Sequence, residues 1–144
     1  MLWRLHSWRA TRPIRVERRA DGDEIARAPE DWLAWWEAHG ERELRSILMT
    51  AWDPIGVGDA PEAWDEYDDY ALGVARRLRE ASTSDEALHS VSDYLNHVER
   101  DFMDGLSEER TRGNGYLAGT IVAWHEWSYE RDGRPPRDWV HSGS

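Results

Sequence analysis

Apolar side chains recur every third or fourth position over most of this chain, and that spacing is the signature of amphipathic helices. The clearest stripe is Tyr67, Tyr70, Ala71, Val74, Leu78 and Ala81, which falls within an arc roughly 100° wide. A second runs Leu88, Val91, Leu95, Val98 and Phe102 in a 3-4-3-4 spacing suited to helices packed side by side. Thr83-Ser-Asp-Glu86 just before it reads as a capping box, so a new helix starts there, with Gly105 as its stop. Upstream, Pro29 opens a helix with Glu30 and Asp31 in its first turn and Trp32, Leu33, Trp35 and Trp36 behind them. Gly40 either divides this piece from the next or weakens the join. Leu44, Ile47, Leu48 and Ala51 then continue at helical spacing up to Pro54, whose predecessor avoids the helical conformation.

The two ends of the chain carry weaker patterns. Asp21-Gly22, flanked by Pro13-Ile-Arg-Val-Glu17 and Ile25, signals a hairpin turn, with a loose arm as the alternative. Residues 53–63 form a Gly/Pro loop, and Arg110 to Gly115 reads as a polar link. Residues 116–131 predict a last helix closed by Asp132-Gly133 and Pro135-Pro136, although Thr120-Ile-Val122 leaves a strand open for 116–124. As a helix it is apolar on two sides, with Leu117, Ile121 and Trp124 on one and Ala118, Val122 and Tyr129 on the other. Such a helix is central in a bundle or part of a subunit interface, and a homodimer through 116–131 is one partner reading. The expected architecture is a single all-α, bundle-like domain of four to five helices over residues 28–144, preceded by a basic arm or hairpin at 1–27.

Composition narrows the function classes. The 144 residues include no Cys, which excludes disulfides and thiolate metal sites. The opening residues lack a continuous apolar stretch of the kind export requires, and no apolar run approaches a membrane span, so the expected location is the bacterial cytoplasm. The net charge of −11 is unevenly placed: residues 1–19 carry +5 and the remainder −16. A body this acidic repels phosphate backbones and attracts basic partners, which argues against nucleic acid and for a protein with a basic surface. The basic residues are all Arg, read as genomic codon bias. Trp3 and Trp8 among the N-terminal Arg could stack on bases or rest on a membrane; the plainer reading folds this cationic arm onto the acidic body.

Four constellations could carry chemistry. The candidate binding surface is the acidic stretch Asp53, Asp59, Glu62, Asp65, Glu66, Asp68 and Asp69, which contains no basic residue. It could dock on a basic protein in the manner of an antidote or immunity protein; carboxylates favouring the first turn of a helix is the plainer explanation. Within Trp52-Asp-Pro-Ile-Gly56, Asp53 can bond backbone amides, Pro54 fixes φ, Gly56 permits a left-handed turn, and Trp52 and Ile55 pin the loop to the core. His89, Asp93, His97 and Asp101 stand four apart, but His89 and His97 are about 12 Å apart along a helix, too far to share an ion, and the row faces water. His125-Glu126 could be an acid–base pair, yet adjacent helical residues point about 100° apart and no nucleophile motif stands nearby. Trp32, Trp36, Trp52 and Trp124 fit inward positions, and Trp139 lies in a ragged terminal segment. No phosphate-binding, dinucleotide or zinc-protease motif occurs. The residues therefore assign no catalytic group, no metal ligand and no cofactor. Alternatives to a binding module are a small enzyme with a carboxylate/His site in a helical cleft and a structural homo-oligomer.

Trp52-Asp-Pro-Ile-Gly-Val57 after a Leu-rich helix, Asp65-Glu-Tyr-Asp-Asp-Tyr70, Tyr94-Leu95 and Val98-Glu-Arg-Asp-Phe-Met103 together resemble the YugE-like family of short, helical, mostly acidic bacterial proteins. The likeness covers residues 41–106. It implies a small helical fold and lends no catalytic residue, ligand or function; residues 1–40 and 107–144 look like additions to that core.

Overall fold

The computed structural model describes residues 14–52, 64–102 and 106–133. Helices account for nearly all of them: α1 (Ile14–Ala26), α2 (residues 30–52), α3 (Trp64–Glu80), α4 (Ser84–Phe102) and α5 (Glu108–Arg131). No strand occurs among the described residues, and none of their helices is long and apolar enough to cross a membrane. α3 is the hub, packing against α1, α2 and α4, while α5 lies along α4 and touches the end of α2. The all-α bundle is as the periodicity predicts, and residues 116–124 are helical.

α2 is built from α-helical Glu30–Trp35 and Glu41–Ile47 alternating with π turns at Trp36–Gly40 and Leu48–Trp52. The backbone stays right-handed helical through Trp36, Gly40, Glu41 and Leu48, so Gly40 does not divide it. The cause lies in the spacing. Trp32, Trp36, Gly40, Leu44, Leu48 and Trp52 are all buried, a strict four-residue period. In a regular helix each such step drifts about 40°, about 200° over the five steps. Each π turn absorbs one extra residue, roughly 100°, so two of them return the series to one face. Gly40 is required there, because a Cβ would lie 2.7 Å from the Trp35 ring and 2.8 Å from that of Trp36.

The predicted stripe of α3 is buried at all six positions, with Ala75 added. Along α4, Val91, Leu95 and Val98 are fully buried and Leu88 half-buried; Ala87 and Tyr94 join them. The Thr83 cap forms, with the return bond from Glu86 reaching one residue upstream of it. Thr83 Oγ1 accepts from Glu86 N at 3.1 Å, and Glu86 accepts from Ser82 N at 2.9 Å. Gly73 leaves room on α3 for the Tyr94 side chain of α4, because a Cβ there would overlap its hydroxyl and ring. Arg77 covers that ring at 4.1 Å and also bonds the Gly73 carbonyl.

Two expectations are corrected. Within the segment 1–27 expected as a hairpin or arm, residues Ile14–Ala26 form a helix, with Asp21-Gly22 inside it. Asp21 is buried, and its Oδ1 meets Arg76 at 3.1 Å and Arg77 at 3.3 Å on α3. Those two guanidinium groups and the burial of Ile25 override the local turn signal. The polar link at Arg110 to Gly115 is also helix. Ser107 caps it by accepting from Arg110 N at 3.0 Å, and Arg110 and Asn114 point into a polar cluster on α4. α5 ends where predicted, with Gly133 in the left-handed region at φ 67°. Residues 1–13, with Trp3 and Trp8, the 53–63 loop, Gly105, Pro135-Pro136 and Trp139 lie outside the described residues.

Candidate functional site

Asp53, Asp59 and Glu62 of the acidic stretch lie outside the described residues, but both edges of the segment that carries them are described. At one edge Trp52 is buried. At the other, Tyr67 and Tyr70 are fully buried, each set edge-on to the Trp52 ring at centroid separations of 6.3 and 5.4 Å. Trp52, the last described residue of α2, and Tyr67 and Tyr70 on the first turns of α3 thus belong to one aromatic cluster. Asp65 and Glu66 occupy the first turn of that helix, as the dipole argument requires. Asp68 is half-buried and accepts from Arg45 at 2.8 Å, and Asp69 is half-buried. Glu41 lies close by on α2. Burial raises its carboxyl above the ordinary range, the charges of Asp68 and Glu37 raise it further, and Arg45 opposes them. The acidic surface therefore extends from α3 onto Glu37 and Glu41, which the sequence reading did not include because they lie a helix away.

Beneath Trp52 sits a polar cluster that the sequence reading missed. Glu99 is buried, and both of its oxygens are used. Oε1 accepts from Arg110 Nε at 2.7 Å; Oε2 accepts from Trp52 Nε1 at 3.0 Å and from Asn114 Nδ2. Asn114 also donates to Asn96 Oδ1 at 2.9 Å, and Arg110 bonds the Trp52 carbonyl at 3.4 Å. A buried carboxylate is tolerable only with such compensation. The cluster ties α2, α4 and α5 together at Trp52, the last described residue before the acidic stretch. The available signal was the i,i+4 pair Arg110 and Asn114, legible only once residues 108–115 are taken as helix.

The other end of α5 carries a second cluster. His125 is fully buried among Trp35, Trp124 and Tyr129, at ring separations of 6.0, 6.4 and 5.2 Å. Outside it, Trp124 Nε1 donates to Glu43 at 2.9 Å and Trp35 Nε1 to Asp132 at 2.7 Å. Arg131 bridges these acids, 2.8 Å from Glu43 and 2.6 Å from Asp132. The Arg131 hydrogen bond, with help from Trp35, holds Asp132 down at about 2 against the opposing effect of burial. Burial raises Glu43, but hydrogen bonds from Arg131 and Trp124 outweigh it and leave that carboxyl below its usual range. Glu126 does not join His125: it is half-buried in a groove beside Ser84 and Asp85, and burial raises its carboxyl.

Trp32, Trp36 and Trp52 are inward as expected, Trp35 joins them, and Trp124 is half-buried. In the row on α4, His89 and Asp93 are exposed, and His97 Nδ1 lies 2.7 Å from Asp101, an i,i+4 surface pair. Among the described residues no three potential ligands gather around a common point. The chain matches no family model, no curated protein and no solved structure.

Proposed function

We propose that this chain is a non-catalytic protein-binding module of the bacterial cytoplasm, antidote-like or regulatory, whose acidic surface covers a basic face of another protein. The carrying observation is the aromatic clasp of Trp52, Tyr67 and Tyr70, which holds both edges of the acidic segment at one point on the core. Fixing the ends of a charged segment lowers the ordering cost on binding, and its unbroken negative charge favours a basic partner. Glu37, Glu41 and Asp68 enlarge the same surface. Membership of the YugE-like family belongs to this proposal and adds no ligand to it.

The enzyme alternative has less support. Asn114 and His125 mark the two polar ends of α5, eleven residues and about 16 Å apart along its axis, so the imidazole does not share a cleft with the Glu99 carboxylate.

The test is charge reversal at Asp59, Glu62, Asp65 and Glu66, leaving Asp68 with Arg45. Wild-type protein should retain a stoichiometric basic partner that elutes with rising salt. The reversed variant should lose it while its helical circular dichroism is unchanged. Equal retention by both would overturn the reading.

A further inference from the structure

The outer face of α5 carries the two large apolar side chains most exposed among the described residues, Tyr116 at 81% and Trp127 at 52%. At 100° per residue, Arg112, Tyr116, Gly119, Thr120, Ala123, Trp127 and Glu130 fall within one arc of about 100°. Gly119 is half-exposed and the other six are exposed. Along one edge of this stripe, Gly119, Val122, Ala123 and Glu126 face Ser84, Asp85 and Leu88 of α4 across a groove of about 250 Å³. Thr120 bonds the Tyr116 carbonyl at 3.2 Å, so its hydroxyl is turned back on its own helix. Trp127 is not loose: the Arg131 guanidinium lies 4.6 Å from its ring centre and is itself held by Glu43 and Asp132. A fixed aromatic anchor associates at lower entropic cost than a mobile one.

The order of residues along this stripe is self-complementary. Residues 112 and 130, 116 and 127, and 119 and 123 all share a midpoint at about position 121. Two copies of the helix laid antiparallel about a two-fold axis there bring Tyr116 onto Trp127 of the other copy and Arg112 onto its Glu130. The small residues meet at the crossing, where backbones can approach closely. Neither Arg112 nor Glu130 forms an ion pair with a described residue, so both charges are available. We propose that α5 is a homodimerisation surface, and that its occupant is α5 of a second copy in antiparallel, two-fold register. The stripe is distinct from the acidic surface and stands or falls separately. One helix face is small for an interface, so the dissociation constant is on the order of tens to hundreds of micromolar.

Sedimentation of the full chain from micromolar to millimolar concentration tests this, with charge swaps fixing the register. Arg112→Glu takes the net charge from −11 to −13, and Glu130→Arg takes it to −9. Each alone sets like charges opposite one another twice in the dimer and should weaken association about tenfold, despite the opposite changes in net charge. The double swap should restore wild-type association. Ala123→Arg, at the crossing, should leave only monomer. A wild-type chain that stays monomeric at millimolar concentration overturns the proposal, including the case in which residues 1–13 or 134–144 of the same chain cover the stripe. So does a dimer that either single swap leaves unchanged, or a double swap that fails to restore association.

Discussion

The two ends of α5 use the same chemical parts in different surroundings. Each has an Arg, a carboxylate on another helix and a Trp indole donating to a carboxylate. At the Arg110 end the Glu99 side chain is 4% exposed, whereas at the Arg131 end Glu43 is 25% exposed. Burial decides what such a cluster is worth. In water both charges would be solvated without the partner, so the pair adds little. Inside, the partner supplies the opposing charge that water cannot, and its loss leaves the carboxylate with neutral donors alone.

The largest effect should come from Arg110→Ala, which leaves the Glu99 carboxylate buried with neutral donors only. Urea denaturation should show a loss of about 3 kcal/mol, and adding Glu99→Gln should recover much of it. A loss near zero would mean that the two ends do not differ.

Gly40→Ala probes packing beside the Arg131 end. The new methyl would stand 2.7 Å from the Trp35 ring, and thermal unfolding should report a loss of about 2 kcal/mol despite the better helix propensity of Ala. Gly113→Ala at the other end is the control. Nothing lies within 4 Å of a Cβ there, so the propensity gain of up to about 1 kcal/mol should appear.

Asp132→Asn sharpens the contrast by pH. The Asp132 carboxyl is held at about 2 in the folded chain against 3.8 ordinarily, so its contribution is fully present above about 4. That contribution is lost as pH falls through about 2. Acid titration followed by circular dichroism should show a smaller loss of stability between pH 4 and 2 in the variant, with a change near neutrality below about 1 kcal/mol. The smallest effect is expected for Asp101→Ala, which removes the exposed i,i+4 partner of His97 and should cost a few tenths of a kcal/mol.

Much of the fold is written in spacing. The α3 and α4 stripes, the Thr83 cap and the Gly133 stop depend on interactions within a turn or two, and each is readable in order along the chain. Even the π turns of α2 are implied by the four-residue period from Trp32 to Trp52, a clue that a search for 3.6-residue periodicity passes over. The candidate site is another matter: the acids of residues 53–69 can be named from sequence, but not Glu37 and Glu41 beside them, nor the clasp of Trp52, Tyr67 and Tyr70.

What tertiary structure alone decided is the fate of polar residues in weakly patterned stretches. Asp21 reads as a turn residue until Arg76 and Arg77, 55 and 56 positions away, draw it into a helix. Arg110 and Asn114 read as a link until Glu99, 11 and 15 positions away, gives them a buried partner. Apolar side chains declare their burial by themselves, because leaving water favours them wherever the core is. A polar side chain is buried only if a partner waits there, and the partner is known only when the chain has folded.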